Sequence, residues 1–272
     1  MDRRTFLKGM GTGLGLAAGG LPGLALADAD PDANVRDYLY KIRNFDHHFP
    51  DDVYVEPARM PLLQSTVARL KRLMRYVGYA NFNLIGVDRA LYYARNYDAI
   101  GAFTRAEIDW LEEIFYTDAR RYGFYGEKVV TEFTHAPRYR EVVKIPRTGH
   151  YLYKGAPHAY YRKIRRDVGE SVILTSGIRS VVKQTLLFLD KARRNRGNLS
   201  LASRSLAPPG YSFHGIGDFD VGKVGFGKLN FTAKFARTRE YQRLIDLGYV
   251  RIRYTDANPY GVRYEPWHIK IV

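Results

Sequence analysis

The 272-residue chain contains no cysteine. Disulfides, thiolate metal ligands and a cysteine nucleophile are therefore excluded together, and any metal site must draw on His, Asp and Glu. Histidine is itself scarce, with seven in the whole chain. No internal repeat and no long low-complexity linker is present. The one conspicuous apolar run, near the N-terminus, is glycine-rich and broken by Pro22, which makes a poor permanent membrane span. Acidic groups are in deficit: 28 Asp and Glu face 43 Lys and Arg, for a net charge of +15. Such a protein seeks polyanions, and its charge alone leaves nucleic acid, anionic lipid and anionic cell wall open.

What is present is ordinary for a globular protein, with a hydrophobic fraction of 46%. Tyrosine is abundant at 22 residues. Its rings suit sugar and peptide ligands, and many simply fill core.

The first residues read as a targeting segment. Arg3-Arg4 precedes the weakly apolar stretch, and Ala25-Leu26-Ala27 supplies a small-residue cleavage pattern before Asp28. The expectation is a twin-arginine signal peptide over residues 1–27, with no stable membrane span after processing. Its removal takes away three basic groups and one acid, leaving +13. Export makes an anionic cell envelope the expected polyanion. It opposes a nucleic-acid partner, for which no binding motif is recognisable.

Residues 28–58 show no clear periodicity. Asp46-His47-His48 and Asp51-Asp52 invite a metal reading, but no ligand spacing supports one, and a solvated loop is expected. From Met60 to Val77, the steps Leu63, Val67, Leu70, Met74 and Val77 draw one apolar stripe on a helix that Gly78 ends. A second helix is predicted over Val87–Tyr97. Thr104 and Glu107 form a capping box for a third, with Ile108, Leu111, Phe115 and Tyr122 at helical spacing and Gly123 as its stop. Residues 28–150 are thus expected to be a helical N-terminal region. Residues 124–156 are expected to be irregular, because prolines and glycines punctuate them.

Residues 151–272 read differently. A basic helix over Pro157–Val168 leads to a β-branched strand, Ser171–Thr175, and then to a helix over Val181–Arg194. Residues 197–211 look like loop. A helix over Thr238–Leu247 follows, then an alternating strand at Val250–Tyr254 and a final strand region, Val262–Val272, interrupted by Pro266. This order favours a small α+β domain with an antiparallel sheet and flanking helices.

Chemistry-bearing residues gather in three places of this half. Ser176-Gly177-Ile178-Arg179-Ser180 is followed by Gln184. Ser212-Phe213-His214-Gly215-Ile216-Gly217-Asp218-Phe219-Asp220 packs a hydroxyl, an imidazole and two carboxylates among glycines. Glu265-Pro266-Trp267-His268 lies near the end. A histidine and a carboxylate on such a turn make half of a metal site, for which the last piece can supply the other half.

In this order the three pieces resemble the VanY-type D-alanyl-D-alanine carboxypeptidases, a branch of the lysostaphin and hedgehog metallopeptidase group. The resemblance covers about residues 156–272, with Ile178 standing where the family has tyrosine. The family's aspartate follows its histidine by seven residues. Here Asp220 follows His214 by six and Asp218 by four, and the apolar context of Phe219-Asp220-Val221 favours Asp220.

The resemblance implies a Zn2+ ion held by His214, Asp220 and His268, an open, catalytic type of ligand set. It implies Glu265 as the general base, Arg179 as the partner of a substrate carboxylate, and Ser212 and Gln184 as further peptide contacts. Arg179 suits that part because its planar fork matches a carboxylate. The implied activity is removal of a terminal D-alanine from peptidoglycan stem peptides by an exported protein, periplasmic or extracellular. An endopeptidase or L,D-carboxypeptidase on the same site, and a non-catalytic wall-binding module, are the alternatives. Glu265 and His268, three apart, would face opposite ways on a regular strand, so Pro266 must kink the chain to bring both inward.

Overall fold

The computed structural model describes residues 31–272, so the expected signal peptide at 1–27 lies outside the described residues. The described part opens with α1 (Pro31–Arg43), in a region where the sequence showed no periodicity. Helix α2 (Met60–Val77) follows its predicted stripe: Leu63, Val67 and Leu70 are buried, joined by Leu73, and Gly78 ends the helix at φ 85°. Next come α3 (Tyr79–Phe82) and α4 (Val87–Asn96).

Helix α5 (Arg105–Tyr116) carries the predicted capping box. The Glu107 amide donates to Thr104 Oγ1 at 3.2 Å, and Glu107 Oε2 accepts from the Thr104 amide at 2.9 Å. The helix stops short of Tyr122. Thr117 is extended, and Asp118 caps a separate 3-10 turn, Ala119–Tyr122, which Gly123 closes in the left-handed region at φ 78°.

Residues 124–156 are not wholly irregular. They hold an antiparallel hairpin of β1 (Val142–Ile145) and β2 (His150–Tyr153). Its prolines, Pro137 and Pro146, lie outside the two strands, where they cost no ladder hydrogen bond, and Pro157 falls just beyond it in the next helix. The division expected at residue 150 falls on the first residue of β2 and so within this hairpin.

Beyond it run α6 (Ala156–Val168), β3 (Val172–Ser176), α7 (Val181–Arg194), α8 (Leu199–Ser203), β4 (Phe219–Lys223), α9 (Arg239–Asp246) and β5 (His268–Ile269). Helix α8 lies in the stretch expected to be loop and is capped by Asn198, whose Oδ1 accepts from the Leu201 amide at 2.7 Å. The strand expected at Val250–Tyr254 is only a single bridge, Ile252 to Ile269. Its neighbour Arg253 turns inward to a buried carboxylate, which breaks the alternation.

β3, β4 and β5 form one antiparallel sheet in that order. Apolar side chains from this sheet, α6 and α9 make one core, which includes Ile164, Leu174, Phe219, Leu244 and Trp267. A second core joins the N-terminal helices to α7 and α8, bringing Leu63, Leu70 and Phe115 together with Leu186 and Leu189. Residues 36–272 accordingly form one compact unit. The fold is α+β, with small antiparallel sheets flanked by helices and a helical N-terminal region. Among the described residues, no helix is long and apolar enough to cross a membrane.

Candidate metal centre

The sheet register places the site. Ser176 on β3 is opposite Asp220 on β4, and Asp220 is opposite His268 on β5. One row across three strands therefore aligns a hydroxyl, a carboxylate and an imidazole, since directly opposite residues share a face. His214 enters from a 3-10 turn, Phe213–Gly215, that precedes β4. The turn leads through Gly217 at φ 140°, a conformation that suits glycine.

His214, Asp220 and His268 are fully buried and offer donor atoms within 4.8 Å of one another. Asp220 Oδ1 lies 3.2 Å from His214 Nε2 and 3.2 Å from His268 Nδ1. The second nitrogen of each ring is already engaged. His214 Nδ1 is 2.8 Å from the Gly177 carbonyl, which can only accept, so Nδ1 carries the proton. His268 Nε2 is 2.9 Å from Asp218 Oδ2. In its neutral form each ring would turn a lone pair toward Asp220 Oδ1, and that buried oxygen has no hydrogen-bond partner. Three converging lone pairs call for a cation. Two imidazole nitrogens and one carboxylate oxygen, with no sulfur, are a donor set that fits zinc.

The electrostatics differ between the two rings. Burial opposes charge on His268, but the Asp218 hydrogen bond and the charges of Asp218 and Asp220 outweigh it and lift its pKa to about 9, so a cation bound at Nδ1 must displace a proton. Burial and the nearby Arg179 guanidinium push His214 the other way, toward the neutral ring. Asp220 resists its own burial because His214, Arg179 and His268 hold its carboxyl well below the usual range.

The two aspartates have different surroundings. Asp220 faces both histidines. Asp218 stands behind His268, where its Oδ2 also accepts from Arg253 Nε at 2.7 Å and its Oδ1 from the Ile271 amide at 2.8 Å. The hydrogen bond and charge of His268, with those bonds, offset the cost of burying Asp218 and bring its pKa down to about 2. A carboxylate that fixes the far nitrogen of a metal-facing histidine sets the ring's tautomer and angle. Sequence reasoning treated Asp218 as a rival ligand and missed this part. It also missed the Gly177 carbonyl. A Cβ at Gly177 would meet the Tyr151 carbonyl oxygen at 2.1 Å, so only glycine lets this segment pass β2 closely enough.

Glu265 and His268 do come together. The His268 amide donates to the Glu265 carbonyl at 3.1 Å, closing a turn with Pro266 at its second position. The turn supplies the kink that a regular strand lacks. Burial raises the Glu265 pKa, and Asp220 adds to the rise against the opposing charge of Arg263. Arg263 Nε lies 3.6 Å away, an ion pair too long for a hydrogen bond. Trp267 points into the core, 2% exposed.

Arg179 follows β3 and reaches back over the row. Its Nη2 donates to Asp220 Oδ2 at 2.7 Å and its Nε to Ser176 Oγ at 2.9 Å. Part of the fork expected to hold substrate is thus committed to the site itself. Ser212 sits at the start of the His214 turn, 6% exposed. Gln184 is buried in α7, with its amide donating to the Ala207 carbonyl of the segment that leads to Ser212.

The acidic and histidine-rich loop at 46–52 does something else. Asp46, His47, His48 and Asp51 are exposed as expected, but the Asp52 side chain is buried and pairs with Arg204 at 2.6 Å, while Asn198 Nδ2 also donates to it at 2.6 Å. It ties the N-terminal region to α8.

Residues 159–272 match the family VanY, D-alanyl-D-alanine carboxypeptidase. This part of the chain is similar to the VanY family. It begins inside α6 and contains β3, β4 and β5, His214, His268, Asp220, Arg179 and Glu265. Among solved structures, the vancomycin-resistance D,D-pentapeptidase VanY in complex with Zn(II) is 25% identical, with a TM-score of 0.39, over 48% of this chain and 78% of that one. VanYB in complex with D-alanine-D-alanine is 25% identical, with a TM-score of 0.38, over 48% of this chain and 77% of that one. The LdcB LD-carboxypeptidase is 24% identical, with a TM-score of 0.40, over 48% of this chain and 62% of that one. No curated protein matches the chain.

Proposed function

We propose that this protein is an exported zinc metallopeptidase that removes the terminal D-alanine from peptidoglycan stem peptides ending in D-Ala-D-Ala. The observation that carries the reading is the convergence of His214 Nε2, Asp220 Oδ1 and His268 Nδ1 beside Glu265, inside the segment that is similar to the VanY family. His214, Asp220 and His268 hold the ion, and Asp218 orients His268. When bound, zinc supplies Lewis acidity, which makes water a competent nucleophile at neutral pH and polarises a carbonyl.

The chain's own residues do the rest. Glu265, its pKa raised by burial, is suited to take a proton from water and to pass it to the departing amine. Arg179 keeps its Nη1 free of hydrogen bonds among the described residues and offers it to the peptide beside Asp220. Ser212 adds a hydroxyl, and Gln184 supports the Ala207–Ser212 segment from behind. Export rests on the twin-arginine pattern of residues 1–27, and the +13 charge that remains suits an anionic envelope.

Digestion of a defined stem pentapeptide by the zinc-loaded protein tests the reading. Release of one D-alanine per peptide is the expected result. Cleavage confined to cross-linked dimers or to an L,D bond, or no cleavage at all, overturns it.

A further inference from the structure

Two groups next to the metal centre are unexplained by the roles above. Lys183 lies in the first turn of α7, four residues after Arg179. Among the described residues its ammonium meets no carboxylate. It stands 5.8 Å from the Phe82 ring, and the charge that acts on it is the like charge of Arg179. His150 opens β2, and its Nδ1 is buried without a hydrogen-bond partner. His150 is within electrostatic reach of Arg179, Lys183, Asp220 and His214.

The backbone brings these groups to one place. The Ile178 amide donates to the Tyr151 carbonyl at 2.9 Å, which joins β2 to the Arg179 loop. The Ser180 amide donates to the Asn83 carbonyl at 2.9 Å, and Asn83 Nδ2 donates to the Gly149 carbonyl at 3.2 Å. The start of β2, the Arg179 loop and the start of α7 are thus held together.

Gathering two cations in a half-buried setting is unfavourable unless an anion completes the cluster. Two other part-buried lysines have one: Lys71 pairs with Asp190 at 2.8 Å and Lys223 with Glu240 at 3.2 Å. Arg179 spends Nε and Nη2 on Ser176 and Asp220, so it is not a whole fork for an incoming carboxylate.

We propose that Lys183, assisted by His150 Nδ1, anchors the free terminal carboxylate of the peptide and so makes the site an exopeptidase. This inference rests on the peptidase reading. The protonation states suit it. Burial, with Arg179 and Lys183, lowers the His150 pKa to about 4, so the ring is neutral and keeps an N–H to donate. Burial and Arg179 lower Lys183 to about 8, which leaves the ammonium mostly charged at neutral pH. Arg179 then remains for the peptide next to the metal ligands, and Lys183 marks where the chain must end.

The test compares a stem pentapeptide with its C-terminal carboxamide, using zinc-loaded protein. The readout is the ratio of kcat/KM for acid over amide. Wild type should favour the acid. Lys183→Met, with unchanged zinc content and melting temperature, should cut the ratio by about tenfold or more, the worth of one charge-assisted hydrogen bond. Lys183→Arg should keep most of the ratio. If Lys183→Met is poorly folded, Lys183→Gln serves as the second neutral variant. An unchanged ratio in the neutral variants overturns the inference while leaving the peptidase reading intact. Failure of wild type to cleave either peptide removes both.

Discussion

Asp218 Oδ2 accepts the Nε2 proton of His268 at 2.9 Å, and this bond turns Nδ1 of the same ring toward Asp220. The two aspartates therefore divide the work around one imidazole. Asp218→Asn should leave all three metal-facing donors in place and weaken zinc binding by about 10–100-fold, the usual cost of losing a partner behind a metal ligand. Competition against a chromogenic chelator measures it. Equal binding by the variant would remove Asp218 from the site.

Glu265→Gln keeps the size of the side chain and removes its ability to take a proton. The variant should hold zinc as wild type does and lose D-alanine release by about 100-fold or more. Side-by-side metal content and single-turnover rates check this. A variant that turns over normally would show that the proton passes elsewhere.

Asp52 and Arg204 give a prediction away from the chemistry. Both side chains are nearly fully buried, and the hydrogen bonds of Arg204 and Asn198 offset burial to hold the Asp52 carboxyl below its usual pKa. A depressed folded-state pKa means that Asp52 stabilises the fold above the ordinary carboxylate value and that this support is lost as pH falls through the folded value. Asp52→Asn should cost about 3 kcal/mol at neutral pH, because it leaves the Arg204 charge uncompensated. The gap in melting temperature between wild type and variant should narrow below about pH 4. A gap that is constant from pH 7 to pH 3 would contradict the assignment.

The legible part of this protein is the part written in local patterns. Helix α2 and the Thr104–Glu107 cap follow from spacing and from side-chain hydrogen bonds within a few residues. The donor triad His214, Asp220 and His268 is what the ordered resemblance to the VanY family implies. What stayed hidden depends on partners far along the chain. The β1–β2 hairpin is short, and its strands are set by pairing that prolines around it obscure. The placing of Asp220 opposite His268 depends on a strand register across 48 residues, which no local pattern encodes. The same holds for Asp218, whose partners His268, Arg253 and Ile271 all come from the last turns of the chain.

Anomalous diffraction at the zinc edge, from crystals of the zinc-loaded protein, tests the central claim most directly. The expected result is one strong peak in contact with His214 Nε2, Asp220 Oδ1 and His268 Nδ1, with Asp218 still bonded to the far side of His268. A peak liganded by Asp218, or no peak among these three residues, would contradict it.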